Sequence, residues 1–88
     1  MTLERVFGQV LQELRQESGL SQEQLGFESG YHRTYISLLE RGKRSPSLKT
    51  IFQLSKALKV NPSYMLGRVE TRSGKSPHSD QRERKFER

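Results

Sequence analysis

Residues 21–41, SQEQLGFESGYHRTYISLLER, describe two short helices that meet at a tight turn, and this narrows the folds open to the chain more than any other stretch. Ser21 is a good N-cap, and Gln24 three residues on completes a capping box, in which each side chain satisfies an orphan amide at the other's position. Leu20 and Leu25 fall at the N′ and N4 positions of a hydrophobic staple, which sets how the chain enters the helix. The helix starts near Gln22 and stops near Gly30, because glycine tolerates the left-handed backbone that ends helices. A second helix follows over residues 33–41, with Ile36 and Leu39 turned inward and Arg33, Thr34, Ser37 and Leu38 facing out. Two helices joined this closely around a glycine form a helix-turn-helix motif.

The flanking sequence supplies a scaffold. Leu3, Val6, Phe7, Val10, Leu11 and Leu14 recur at offsets of three and four, one apolar stripe of a helix over residues 3–17 that Thr2 caps and Gly19 ends. After the turn-rich Gly42-Lys43-Arg44-Ser45-Pro46-Ser47, Ser47 caps a fourth helix reaching about Lys59, with Leu48, Ile51, Phe52, Leu54, Ser55 and Leu58 on its inner face. Asn61-Pro62 opens a short fifth helix through Leu66, closed by Gly67. The predicted architecture is all-α: a compact five-helix domain over residues 1–67 and a flexible tail over 68–88. That tail, rich in Arg, Lys, Glu, Ser, Gly and Pro, has only Val69 and Phe86 as apolar anchors and cannot offset its ordering entropy, so disorder is expected, with a transient helix open over 80–88.

An 88-residue chain supports one domain with a small core. It holds no cysteine, which leaves out disulfides and thiolate metal sites. Nothing near its start reads as a signal peptide, and no run approaches the ~20 apolar residues of a membrane span, so a cytoplasmic setting is expected. Its formal charge is +6, which points to an anionic partner. Location sharpens the point: Arg33, Arg41, Lys43 and Arg44 crowd the second helix of the motif and the loop after it, where Glu40 is the one acid.

The order Gln22, Leu25, Gly26, Gly30, Ile36, Ser37, Leu39, Glu40, Gly42, Lys43, Pro46, Leu48, Leu54 and Ala57-Leu58 resembles the lambda-repressor-like helix-turn-helix family, the Cro/cI or Xre type, over about residues 3–67. The resemblance implies a sequence-specific transcription regulator that acts on double-stranded DNA. It also implies that Gln22 matches a phosphate-contacting glutamine, that Gly26 sits where two helices approach closely, and that Arg15 and Glu40 form a largely buried ion pair tying the first helix to the recognition helix. Leu38 departs from the longer polar side chain usual in relatives. The Arg-Thr-Tyr-Ile-Ser run is similar to that of restriction-modification controller proteins without being restricted to them.

The residues themselves assign further roles on DNA. Arg33 is the leading base reader, because its guanidinium fork matches the O6/N7 edge of guanine. Thr34, Ser37 and Leu38 share its outward face, and Leu38 either touches a thymine methyl or covers the edge of the core or a dimer neighbour. Arg41, Lys43 and Arg44 hold phosphates, which fix register without reading sequence. His32 caps the recognition helix beside a phosphate, and Tyr35 offers its hydroxyl to another or packs against the second helix. Such proteins pair two copies across a two-fold operator, and Tyr64, Met65 and Leu66 are the expected homodimer interface, with part of that cluster instead closing the core. A different reading is an antitoxin-type autoregulator whose tail binds a protein partner. No cofactor, metal site or enzymatic activity is expected, since the chain lacks a phosphate loop, a triad or a ligand cluster.

Overall fold

The computed structural model describes residues 1–74. Five helices follow one another: α1 (Leu3–Glu17), α2 (Gln22–Ser29), α3 (Arg33–Glu40), α4 (Leu48–Leu58) and α5 (Pro62–Arg72), with no strand among the described residues. The expected tail disorder, with the transient helix and Phe86, lies from residue 75 onward outside the described residues.

Helix starts follow local chemistry. Thr2, Ser21 and Ser47 each accept a bond from the amide three residues ahead, and Ser21 with Gln24 closes the full capping box. Asn61 occupies the N-cap of α5 without a side-chain bond, and Pro62 alone sets the entry there.

The core forms where α1 lies against α3 and α5, and α4 against α2 and α5. Val10, Leu11, Leu25, Ile36, Leu39, Leu54 and Met65 have no exposed surface, and Val6, Phe7, Leu14, Leu58 and Val69 complete the cluster. Each side chain of this size removed from water contributes about 1.5–3 kcal/mol. Gly8 lets α1 reach α3 backbone to backbone: a Cβ there would sit 2.5 Å from the carbonyl oxygen of Glu40.

Three sequence expectations are corrected. Leu3, Leu48 and Phe52, expected to face inward, stand exposed at 64%, 70% and 55%; Leu48 and Phe52, one turn apart, share an α4 face that α2 and α5 do not cover. Met65 is wholly buried, so of the expected interface trio only Tyr64 and Leu66 present surface. Finally, α5 does not stop at Leu66. It continues through Gly67 to Arg72, so residues 68–72 are helix and not tail.

The extension is held from α1. Glu13 accepts from Arg72 at 2.6 and 2.8 Å and from Arg68 at 2.7 Å, and Arg68 also reaches Glu17 at 3.4 Å and lies over the Tyr64 ring. Val69 seals the same face from inside. The hydrogen bond from Arg72, helped by the charges of Arg72 and Arg68, holds the Glu13 carboxyl below its usual range. A carboxyl with a lowered folded pKa contributes stability above its unfolded pKa and loses it as pH falls through the folded value. Acidification through and below the usual carboxylate range should therefore fray the last turn of α5 first. Helical 13Cα shifts at residues 69–72 should decline before those of α3, and Glu13→Gln should reproduce the loss at neutral pH.

Candidate nucleic-acid interface

The α2–turn–α3 unit is built to hold α3 against the domain with one side bare. Gly30 takes the left-handed conformation at φ 86°, and the amides of Gly30 and Tyr31 both return to the carbonyl of Gly26, at 2.9 and 2.8 Å. A Cβ at Gly26 would stand 2.5 Å from the Tyr31 carbonyl oxygen and 3.3 Å from the Arg33 nitrogen. The close approach expected at Gly26 is thus to the turn backbone and to the first residue of α3. His32 accepts the Thr34 amide through Nδ1 at 3.0 Å, the capping role expected of it. At the far end, Gly42 and Lys43 donate to Leu39 and Leu38, at 3.1 and 2.9 Å, and fill the orphan carbonyls of α3.

Beneath α3 lies the anticipated ion pair. Arg15 Nε meets Glu40 Oε2 at 2.6 Å, Nη2 reaches Oε1 at 3.1 Å, and Nη1 donates to the Leu20 carbonyl at 2.8 Å. The side chains are 11% and 3% exposed. Gln22 joins through Nε2, which donates to Glu40 Oε1 at 2.9 Å. The single acid of the basic region is therefore neutralised from inside.

Outside, His32, Arg33 and Thr34 are exposed, and Ser37 and Leu38 half-buried one turn on. Arg41, Lys43 and Arg44 are exposed, and no ion pair among the described residues engages them or Arg33. Arg41 Nε donates to Ser37 Oγ at 3.2 Å, which lays its guanidinium along the helix. Arg44 sits over the Tyr35 ring, 5.5 Å from its centre, a contact of about 0.5–1 kcal/mol where exposed.

Tyr35 leans on the Tyr31 ring at 5.0 Å and toward α4, with its hydroxyl 3.5 Å from Thr50 Oγ1. Tyr31 donates to Gln53 Oε1 at 2.6 Å and lies 2.9 Å from Thr50 Oγ1, which also meets Ser47 Oγ at 2.9 Å. This hydroxyl network, which the sequence pattern does not announce, braces the turn and α3 against the start of α4. The role of Gly8 is likewise not among the sequence expectations, although a glycine inside an amphipathic helix costs about 1 kcal/mol against alanine and so points to a packing need.

A three-residue turn, a capped short helix pinned by a buried ion pair, and free cations on its open side define a helix-turn-helix domain. The helix-turn-helix family model matches residues 11–65, more than half of the chain, which belongs to this Cro/cI-type family of DNA-binding transcription regulators. Among its relatives, the control protein C.BamHI of Bacillus amyloliquefaciens is 50% identical over 62 residues, spanning 69% of this chain and 76% of that protein. The crystal structure of the restriction-modification controller C.AhdI from Aeromonas hydrophila superposes with a TM-score of 0.69 at 47% identity, covering 70% of this chain and 94% of that one. The controller C.Esp1396I, solved as a tetramer in complex with its natural 35 base-pair operator, aligns at 29% identity with a TM-score of 0.77, over 85% of this chain and 99% of that one.

Removing one partner of a buried pair strands the other's charge, at about 3–5 kcal/mol. Arg15→Ala and Glu40→Ala should each lower stability by that order in urea unfolding. Near-native midpoints for both would show that the pair does not hold α3.

Proposed function

We propose that the chain is a controller-type regulator that binds a two-fold operator as a homodimer, with α3 of each copy in the major groove, and acts chiefly by occluding a promoter. One observation carries this reading: the exposed N-terminal turn of α3 is flanked at its far end by Arg41, Lys43 and Arg44, none of them paired within the described residues. Arg33 reads guanine through a bidentate contact, and Thr34, Ser37 and Leu38 line the same face. Gln22, at the amide-rich start of α2, binds phosphate with Arg41, Lys43 and Arg44. His32 and Tyr35 lie beside these groups, with Tyr35 as the platform for Arg44.

The relatives named above are controllers and not antitoxins, so they do not favour the alternative of a tail-bound protein partner. Tyr64 and Leu66, 51% and 40% exposed on α5, are the surface assigned to the second copy. The role is binding without catalysis, in a cytoplasmic setting. No helix among the described residues is long and apolar enough to cross a membrane.

Selection of binding sites from random duplex DNA at a fixed salt concentration tests the proposal, and an inverted repeat should emerge with half-sites about one helical turn apart. In that assay Arg33→Ala should lose about 1–3 kcal/mol of discrimination at one position per half-site. Lys43→Ala should weaken all sequences alike and reduce the salt slope by about one per copy. Recovery of no preferred sequence, or base preferences unchanged by Arg33→Ala, would contradict the assignment.

A further inference from the structure

We infer that Glu40 is a positioning residue for the phosphate contact of Gln22: the carboxylate beneath the recognition helix holds the glutamine amide nitrogen inward and so determines which atoms the side chain shows to DNA. The inference rests on the DNA-binding reading and gives a second role to a residue whose first is to hold the core together.

Gln22 is the first residue of α2 and half-buried. Its Nε2 donates to Glu40 Oε1 at 2.9 Å. An ionised carboxylate only accepts, so the amide can face it only through nitrogen; the flipped amide would set two acceptors against each other. Glu40 cannot turn to suit the glutamine. Arg15 Nε holds Oε2 at 2.6 Å and Nη2 shares Oε1 at 3.1 Å, while Nη1 is committed to the Leu20 carbonyl at 2.8 Å. The anchor is therefore fixed at both ends, and its carboxylate is 3% exposed.

What Gln22 has left is its second Nε2 proton and its carbonyl oxygen. A phosphate oxygen also only accepts, so that second proton is the one atom of the side chain able to bind it. Gln22 is itself the first residue of α2, in the turn whose leading amides no intrahelical carbonyl reaches. Holding a long side chain in this orientation before DNA arrives removes rotamer freedom that binding would otherwise have to remove. The ion pair thus bears on affinity as well as on folding, through one neutral side chain.

The test is the affinity for a mixed-sequence duplex at low salt, since a phosphate contact is independent of sequence. Four proteins are compared: wild type, Gln22→Ala, the paired Arg15→Met/Glu40→Leu, and the triple combination. Replacing both partners of a buried pair by apolar residues is often tolerated where losing one is not. Gln22→Ala should weaken binding roughly three- to tenfold. The paired variant should lose a similar factor, and the triple variant should bind no more weakly than Gln22→Ala. Unchanged affinity in a folded paired variant, or losses that multiply independently in the triple, would overturn the inference.

Should the paired variant fail to fold, the free wild-type protein decides. Its Gln22 side-chain amide protons should exchange slowly and resonate apart from those of exposed glutamines, whereas shifts and exchange typical of an exposed glutamine would overturn the inference. A wild type that binds no duplex would defeat the DNA-binding reading and this proposal with it, while the amide protons would still report whether Glu40 holds Gln22.

Discussion

The charge pair between Arg15 and Glu40 is the constraint on which the rest of the molecule turns. A helix of eight residues has too few hydrogen bonds to persist in water alone, so α3 exists only as far as the domain holds it. Ile36 and Leu39 bury its apolar side, and Glu40 fastens its last turn to α1 through Arg15. Arg15 also caps the Leu20 carbonyl, so one guanidinium joins the end of α1, the start of α2 and the end of α3. The backbone contact at Gly8 lies next to the same point. These features make α3 a fixed ridge whose outward side chains keep their spacing.

The electrostatics follow from that arrangement. A carboxylate at the surface of α3 would repel phosphate and offset a neighbouring cation; turned inward onto Arg15, it leaves Arg33, Arg41, Lys43 and Arg44 as the charges met from outside. On α1, Glu13 and Glu17 are spent on Arg68 and Arg72, away from this face. Basic character is thereby concentrated on the outer side of α3 and the loop after it. The tyrosine and threonine network behind Tyr35 serves the same end, because it fixes the platform beneath Arg44.

Features governed by neighbours along the chain are legible in the sequence. The capping box of Ser21 and Gln24, the caps at Thr2 and Ser47, the left-handed Gly30 and the end of α1 all depend on contacts within a few residues, and all occur in the fold. The ion pair is legible only through family resemblance, since nothing local links residues 25 apart. What escapes is non-local. Gly67 looks like a stop because the arginines beyond it find their acids more than fifty residues earlier. Phe52 looks inward because a periodic stripe shows which residues share a face and not how much of that face a neighbour covers. Met65 and Tyr64 are adjacent in sequence and opposite in burial, a difference set by how α5 lies on α1 and α4.

The central claim is that the bare side of α3 is the surface that meets DNA. Transfer of saturation from DNA protons to protein amides in the complex measures this contact directly. The account predicts the strongest attenuation at residues 32–38, with weaker effects at 22–23 and 43–44, and none along α5. Attenuation centred on α5 or on the first turn of α1, with α3 silent, would contradict it.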